Sequence, residues 1–325
     1  MTVLVTGGAG YIGSHVVKRL REIGREVVVL DNLYNGFRKS LLGARFEVGD
    51  IRDEELVRSM CRRYRIDAVM HFAALKSVGE SMEQPHRYFQ WNVTGSVSLT
   101  RAVMESGVSK LVFSSSASVY GSGGREPFTE TLPLRPESVY AATKASVENY
   151  LEWCSYLNLR SVSLRYFNAA GASLDCSIGE DWISTHNLIP KMMRSMITHE
   201  QNLKIFGSDY PTPDGTCIRD YVHVEDLAAA HIRALDYLDN GGASLAVNVG
   251  SGRGYSVREV IETAERVSGR SVPVEIAPRR LGDPPVILAD CSFAEARLGW
   301  RPTLDLSRII QTSYEWHLKY PNGYQ

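Results

Sequence analysis

Short apolar runs alternate with segments of helical periodicity through the first half of this chain. The run VLV at residues 3–5 is followed by apolar positions spaced like one face of a helix, from Ile12 to Ile23. The same alternation predicts strands at 26–30, 46–48, 67–72, 110–113 and 161–166, and helices at 54–64, 92–105 and 140–157. Strands that alternate with helices in this way indicate a parallel sheet.

The pattern changes near residue 168. Beyond it we predict a polar loop at 171–186, a charged loop at 279–285, and a stretch at 204–213 with glycine and prolines that we interpret as a substrate loop. The predicted strands are 217–222, 245–249 and 272–276. The predicted helices are 187–198, 224–237, 256–267, 293–298 and 306–319. Ser256 is predicted to cap its helix, with Glu259 completing a capping box. We expect an α/β fold: a doubly wound parallel sheet over 1–168, then a smaller α/β domain over 169–325. Later strands are free to return to the first sheet.

Three glycines, Gly7, Gly10 and Gly13, stand between the first predicted strand and its helix. Gly7 can adopt the positive φ of a tight turn, Gly10 lets the backbone approach a pyrophosphate, and Gly13 allows close packing of helix on strand. Asp31 ends the second strand, about 20 residues further on, where a carboxylate can bind ribose hydroxyls and repel a 2′-phosphate. A turn cap is the alternative for Asp31. The combination predicts a Rossmann site for NAD.

Two further strand ends carry cofactor candidates. Asp50 follows the third strand, and the loop from Phe72 to Lys76 follows the fourth. Ligands of open α/β sheets bind at the carboxyl ends of the strands. The alternatives are a turn acid and an ordinary βα loop.

Tyr140 and Lys144 lie four residues apart on a predicted helix and therefore share one face. A free tyrosine has a pKa of about 10, but a nearby ammonium and a positive nicotinamide ring favour the phenolate. Such a pair can remove a proton from a sugar hydroxyl while NAD accepts hydride from the same carbon. Lys144 can also hold the nicotinamide ribose. Ser116, at the end of the fifth strand, is the third candidate. The alternative is a surface tyrosine beside a lysine.

Composition narrows the possible partners. The chain has 325 residues, 44% hydrophobic and 22% charged, with a net charge of −1, so nothing favours nucleic acid or a membrane as partner. No apolar run reaches the roughly 20 residues of a membrane span, and the first strand leaves no room for a signal peptide. Five scattered cysteines indicate reduced thiols in the cytoplasm, and no metal-ligand spacing appears.

The chain resembles the extended short-chain dehydrogenase/reductase family, in particular its members that interconvert UDP-glucose and UDP-galactose. The matching stretches are VTGGAGYIGSH, LDNLYNG, GDIRD, HFAALKSVGES, NVTGS from Asn92, FSSSASVYG, YAATK, RYFNAAGA, IGED, NLIP, IFGSDYPTPDGTCIRDYVHV and RRLGDPP. They span nearly the whole chain. The resemblance implies tightly bound NAD, oxidation at C4 with Tyr140 as base, rotation of the 4-keto sugar about its diphosphate, and re-reduction on the other face.

The resemblance also implies individual site residues. The NAD residues are Gly7, Gly10, Tyr11, Ile12, Asp31, Asn32, Asn35, Gly36, Asp50, Ile51, Phe72, Ala73, Ala74, Lys76, Asn92, Ser114, Tyr140, Lys144 and Phe167. The UDP-sugar residues are Ser116, Asn168, Asn187, Leu188, Lys204, Phe206, Arg219, Tyr221, Arg280, Asp283 and Ile287. Arg219 and Arg280 suit a diphosphate clamp because a guanidinium fork matches phosphate oxygens. A surface ion pair is their alternative.

Several readings of the chemistry stay open. A nucleotide-sugar 4,6-dehydratase needs an acid pair after Ser116, where this chain has Ala117 and Ser118. An epimerase for UDP-glucuronate, a UDP-pentose or UDP-N-acetylglucosamine is a second alternative, with Ile287 at the position that lines the sugar pocket in relatives. A net dehydrogenase and a non-catalytic NAD-binding protein are others.

The resemblance finally implies a homodimer. The predicted helices at 92–105 and 140–157 would pair in a four-helix bundle, with Tyr150 and Leu151 as apolar surface.

Overall fold

The computed structural model describes residues 1–122, 127–182, 185, 187–280 and 282–324. Its strands are β1 (Thr2–Thr6), β2 (Glu26–Asp31), β3 (Arg45–Val48), β4 (Ile66–His71), β5 (Lys110–Ser114), β6 (Arg160–Tyr166), β7 (Asn168–Ala170), β8 (Leu203–Phe206), β9 (Ile218–His223), β10 (Leu245–Val249), β11 (Gly254–Ser256), β12 (Val274–Ala277) and β13 (Val286–Ile287). Its α-helices are α1 (Tyr11–Glu22), α2 (Glu54–Tyr64), α3 (Val78–Glu83), α4 (Pro85–Tyr88), α5 (Gly95–Glu105), α6 (Val139–Cys154), α7 (Leu188–Thr198), α8 (Val224–Asp239), α9 (Val257–Ser268), α10 (Ser292–Leu298) and α11 (Leu306–Lys319).

The largest sheet has seven parallel strands in the order β10-β6-β5-β4-β1-β2-β3. Chain order runs outward in both directions from β1, which is the doubly wound arrangement. Strand β1 is apolar on both faces, with Val3, Leu4 and Val5 all fully buried. Val3 and Val5 pack with α1 and α8, whereas Leu4 packs with α2, α5 and α6. The predicted fold class is confirmed, because helices cover both faces of this sheet.

The chain after β6 builds a second, smaller core. Strand β9 pairs with β7, β11 and β13, and β8 pairs with β12. Helices α7, α9 and α11 pack around these strands. Strand β10 returns to the large sheet beside β6, and α8 covers that sheet. The division of the chain at residue 168 stays a prediction.

Two local expectations need correction. The helix expected at 92–105 begins earlier, because α4 continues through a π-helical stretch at Phe89–Thr94 into α5. The expected substrate loop at 204–213 begins as the strand β8, whose partner β12 supplies the hydrogen bonds. Ser256 and Glu259 form the predicted capping box. Of the expected loops, Ile183, Ser184, His186 and Leu281 lie outside the described residues. None of the helices in the described ranges combines the length and hydropathy needed to cross a bilayer.

Candidate active site

One large cavity opens at the carboxyl ends of the strands of the main sheet. Its volume is about 330 Å³, at the lower end of the roughly 300–1,000 Å³ that is usual for a ligand pocket. The lining combines the loops after β1 to β6 with the start of α7 and part of β9. The cavity therefore joins the glycine loop and the strand ends of the main sheet to residues of α7 and β9 in one space.

The structure brings most of the predicted residues to this cavity. From the cofactor set, the lining residues are Gly7, Gly10, Tyr11, Ile12, Asp31, Asn32, Asn35, Gly36, Asp50, Ile51, Phe72, Ala73, Ala74, Lys76, Ser114, Tyr140, Lys144 and Phe167. From the UDP-sugar set, they are Ser116, Asn168, Asn187, Leu188 and Tyr221. Asn92 and six of the UDP-sugar residues lie elsewhere, as described below.

The glycine loop between β1 and α1 has the shape of a phosphate cradle. Gly7 has a φ of +72°, and a Cβ there would lie 2.5 Å from the Ala73 nitrogen. A Cβ on Gly13 would lie 2.4 Å from the carbonyl oxygen of Gly7. Gly10 is the N-cap of α1 and supplies no side chain, so the first amides of the helix face the cavity uncapped. These features fit the pyrophosphate of a dinucleotide.

Asp31 joins the glycine loop to the loop that follows β2. Its Oδ2 accepts a hydrogen bond from the Ala9 amide at 2.9 Å, and its Oδ1 accepts one from the Leu33 amide at 2.8 Å. Burial raises the pKa of this carboxyl, and the two amide hydrogen bonds oppose the rise. Asp31 thus serves as a cap and also lines the cavity, so the two readings of this residue are compatible.

The far end of the cofactor half is closed by side chains that the sequence did not single out. Arg52 pairs with Asp50 at 2.7 Å and lies 4.7 Å from the Trp91 ring centroid. Tyr34 meets Trp91 edge to face, with centroids 5.2 Å apart. These aromatic and guanidinium groups offer flat surfaces for a base. Tyr34 and Arg52 fall within the matched stretches LDNLYNG and GDIRD, whereas Trp91 lies just before NVTGS, and nothing in the sequence indicates that the three side chains meet.

Asn92 does not line the cavity but supports its wall. It is 2% exposed. Its Oδ1 accepts from the Leu75 amide at 2.8 Å, and its Nδ2 donates to the Leu75 carbonyl at 3.0 Å and to Thr143 Oγ1 at 3.1 Å. Thr143 in turn donates to the Tyr140 carbonyl at 2.7 Å. Asn92 therefore ties the loop after β4 to the helix that carries Tyr140.

The three predicted catalytic residues all line the cavity. Burial raises the pKa of the Tyr140 phenol, and the nearby Ser116 hydroxyl opposes this rise. The Lys144 Nζ donates to the Ser114 carbonyl at 2.6 Å and lies 5.9 Å from the Tyr140 ring centroid. Burial lowers the pKa of Lys144 to about 7. The arrangement can position a hydroxyl against a phenol–serine pair beside an ammonium.

Glu148, one helical turn beyond Lys144, keeps negative charge near this ammonium. Its carboxylate opposes the fall in the pKa of Lys144 that burial causes. Arg165 holds that carboxylate through Nη2 at 2.6 Å and Nε at 3.0 Å. A buried carboxylate requires such partners.

The remaining predicted substrate residues extend the site away from the cavity. Arg219 and Tyr221 alternate on β9 and so point to the same face, and Ile287 on β13 is paired directly with Arg219. Arg219 is 8% exposed and pairs with Asp283 at 2.5 Å, so this ion pair is largely buried and differs from the surface ion pair given as the alternative. Arg280 lies 3.9 Å from the Phe206 ring centroid, and Lys204 is on the same strand β8. The structure places all six near the small sheets.

Comparison with known proteins identifies the family. The sequence profile of the NAD dependent epimerase/dehydratase family matches residues 3–250. The UDP-glucose 4-epimerase of Halalkalibacterium halodurans is 45% identical over 326 residues, covering 100% of this chain and 98% of that protein. That of Lactobacillus helveticus is 46% identical over 328 residues, covering 100% and 99%.

Solved structures agree in fold. The UDP-glucose 4-epimerase from Brucella ovis in complex with NAD has a TM-score of 0.94 at 43% identity, covering 97% of both chains. The enzyme from Bifidobacterium longum in complex with NAD+ and UDP has a TM-score of 0.94 at 37% identity, covering 99% of this chain and 100% of that one. The chain belongs to the NAD-dependent epimerase/dehydratase family.

Proposed function

We propose that this protein is an isomerase, a UDP-glucose 4-epimerase, which uses bound NAD to interconvert UDP-glucose and UDP-galactose. The observation that carries the proposal is the position of Tyr140, Ser116 and Lys144. They lie where a cavity with a dinucleotide cradle meets the start of α7 and the face of β9. The full-length relatives that carry this name support the same chemistry.

The cofactor half of the cavity fits NAD. The uncapped start of α1 can receive the pyrophosphate, Asp31 the adenosine ribose, and Lys144 the nicotinamide ribose. NAD supplies a reversible hydride acceptor for C4 of the sugar and, through its ring, positive charge near Tyr140. Asp31 also disfavours a 2′-phosphate, because its carboxylate would repel a second anion.

Side chains of the protein remove and return the proton of the 4-hydroxyl. Tyr140 is the base for the 4-hydroxyl; burial raises the pKa of its phenol, and the nearby Ser116 hydroxyl offsets part of that rise. Lys144 adds positive charge one helical turn away. Ser116 can share the proton of the substrate hydroxyl, whichever face of the sugar is presented. The same groups therefore serve both directions of the isomerisation.

The sugar is proposed to turn within the cavity while its diphosphate stays bound. Arg219 and Arg280 are proposed to hold the diphosphate, as the resemblance implies, with Asn187, Leu188 and Tyr221 around the nucleotide. Arg219 would exchange its Asp283 contact for phosphate oxygens or keep both, since a guanidinium has five donors.

Two rival chemistries find less support. A dehydratase would need carboxylates next to Ser116, but Ala117 is buried and Ser118 Oγ donates to Ser116 Oγ at 2.9 Å. A non-catalytic binding protein would not need Tyr140 and Lys144 together in the cavity.

Ile287 is proposed to favour UDP-hexoses without an N-acetyl group. It packs against the buried cluster of Ala117, Val119, Tyr120 and Phe128, and the link through Ala117 to the neighbouring Ser116 supports a place near the sugar. An isoleucine is stiff at χ1 and cannot easily swing aside. Overpacking by an N-acetyl group would cost on the order of 1–3 kcal/mol. UDP-N-acetylglucosamine would then be a poor substrate.

The proposal also includes a cytoplasmic homodimer that acts in galactose metabolism. The five cysteines are all free, which suits a reducing compartment. Leu151 is 1% exposed and belongs to the protein's own core, so it cannot serve as dimer surface as expected. The end of α6 and the turn after it instead expose Trp153, Tyr156 and Leu157. Sedimentation at micromolar concentration tests the dimer, and a monomer there would contradict it.

The direct experiment is conversion of UDP-galactose by the purified protein, without and then with added NAD. UDP-glucose is quantified by chromatography together with any reduced cofactor released. Formation of UDP-glucose up to an equilibrium mixture, without net release of reduced cofactor, is expected. Stoichiometric release would indicate a dehydrogenase, a 6-deoxy-4-keto sugar would indicate a dehydratase, and no product would refute the proposal.

A further inference from the structure

Glu180 is a buried carboxylate that lies between the cofactor half and the substrate half of the site. Its Oε1 accepts hydrogen bonds from Thr185 Oγ1 and Asn187 Nδ2, both at 2.8 Å. The Lys76 Nζ lies 3.7 Å from the same oxygen. Lys76 and Asn187 both line the large cavity. Glu180 thus connects one residue expected to bind the cofactor with one expected to bind the substrate.

The backbone around Glu180 is fixed by the C-terminal part of the chain. The Trp316 indole nitrogen donates to the Glu180 carbonyl at 3.3 Å, and the Tyr324 hydroxyl donates to the Gly179 carbonyl at 2.9 Å. A Cβ on Gly179 would lie 2.4 Å from the Trp316 ring, so only glycine allows this approach. The carboxylate is therefore held in place before any ligand binds.

Asn187 is the N-cap of α7, yet its side chain makes no capping hydrogen bond to the helix among the described residues. Asparagine is among the best N-cap residues, and its carboxamide normally accepts from the second or third amide of the helix. Here the Nδ2 group donates to Glu180, and this bond holds the carboxamide in an orientation in which its Oδ1 does not cap the helix. The third helical residue is Pro190, which has no amide hydrogen. Leu188 and Ile189 carry the first two amides, and both residues line the cavity.

We propose that Glu180 is a positioning residue for substrate binding, which holds the Asn187 carboxamide away from the first turn of α7. The helix start then stays open to an anion, for which its free amides and dipole are suited. The second hydrogen of Asn187 Nδ2 remains available for a ligand oxygen. The ligand class is the diphosphate of a uridine nucleotide, so the inference rests on the proposed function.

Two variants of similar size separate this role from general packing. Glu180→Gln keeps an oxygen that accepts from Asn187, whereas Glu180→Met fills the same space without an acceptor. In Glu180→Met, Asn187 is expected to swing onto its own helix and close the site. UDP affinity, measured by titration calorimetry on the NAD-loaded protein, should fall about tenfold in Glu180→Met and stay within threefold of wild type in Glu180→Gln.

Asp226→Leu is the control for losing a buried acceptor. Asp226 is 4% exposed and binds the amides of Thr303 and Leu304, away from the cavity lining. The Asp226→Leu variant should have a lower melting temperature but an unchanged affinity for UDP. Equal affinities for wild type and Glu180→Met, or equal losses in both Glu180 variants, would overturn the positioning role.

Wild-type protein provides a test that requires no folded variant. Amide exchange at Leu188 and Ile189 should be fast in the free protein and slowed by UDP, whereas protection before UDP is added would contradict an open helix start. A wild-type protein that fails to bind UDP would refute the proposed function itself, which is a separate outcome from normal binding by Glu180→Met.

Discussion

The Lys144 ammonium lies 5.9 Å from the ring centroid of Tyr140, one turn earlier on the same helix. It is 3% exposed and donates to the Ser114 carbonyl at 2.6 Å. This places a buried amine, whose pKa burial lowers to about 7, beside a phenol whose pKa burial raises and the nearby Ser116 hydroxyl lowers. The Lys144–Ser114 hydrogen bond connects the end of β5 to α6, and the amine and the phenol together are the acid–base groups of the site.

Replacing Tyr140 with phenylalanine should remove the base while leaving the ring in place. Turnover of UDP-galactose is expected to fall by about 10²–10⁴-fold, the usual contribution of a positioned acid–base group. Bound NAD, measured by absorbance after release from the protein, should change little. Tyr156→Phe is the matched control, because Tyr156 is 77% exposed. Near-normal turnover in Tyr140→Phe would remove this residue from the mechanism.

Asp31→Ala should weaken NAD binding and relax discrimination against NADP. The variant loses the acceptor for the ribose and also frees the Ala9 amide of the glycine loop. Affinities for both cofactors, measured by fluorescence titration of cofactor-free protein, test this. Asp31→Asn removes only the charge, so it should relax NADP exclusion with a smaller loss of NAD affinity. Unchanged NAD affinity in Asp31→Ala would place the ribose elsewhere.

Ile287→Ser should admit UDP-N-acetylglucosamine. Overpacking against Ile287 on the order of 1–3 kcal/mol corresponds to a loss of roughly ten- to hundredfold in kcat/KM for the N-acetylated substrate. The serine variant should recover most of it. The comparison is kcat/KM for both substrate pairs, with Val286→Ser as a neighbouring control. Equal efficiencies in wild type, or no gain in Ile287→Ser, would show that another residue limits substrate size.

Acid should destabilise the fold through its buried histidines. Burial lowers the pKa of His15 and His231 to about 4 and that of His71, His223 and His317 to about 3. Because these values lie below the roughly 6.5 of an unfolded histidine, the unfolded chain binds more protons as the pH falls below 6.5. Each such group can reduce the free energy of unfolding by up to about 2 kcal/mol at pH 5.

Chemical denaturation between pH 7.5 and 5 measures this effect. His317→Phe should flatten the decline, since phenylalanine can keep the stacking on Trp182, where ring centroids are 4.5 Å apart. His86→Asn, at an exposed position, serves as control. A free energy of unfolding that stays constant over this range would contradict the prediction.

The sequence predicts best what is determined locally. The glycine loop, Asp31 and the Tyr140–Lys144 spacing depend on short-range geometry, and the structure brings these residues to one cavity. Ser256 and Glu259 form their capping box for the same reason. Long-range pairing is harder to infer. The local sequence around Leu203 does not predict that strand β8 begins there. The strand forms by pairing with β12, which lies some seventy residues later in the chain.

Side-chain direction also escapes sequence reasoning. The sequence does not indicate that Asn92 hydrogen-bonds with Leu75 and Thr143, and its predicted contact with the cofactor stays a prediction. Leu151 was expected on the surface, but it faces the sheet with Val147. Tyr34, Arg52 and Trp91 become a cluster only when the loops after β2 and β3 meet the π-helical stretch.

The central claim is that the hydrogen at C4 is transferred to the bound cofactor as hydride and is then returned to C4 without exchange with water. UDP-galactose that carries deuterium at C4, incubated with the purified protein in ordinary water, tests it most directly. We predict UDP-glucose that retains the deuterium at C4, as observed by NMR and mass spectrometry. UDP-glucose whose label has been lost to water, or no UDP-glucose at all, would contradict the account.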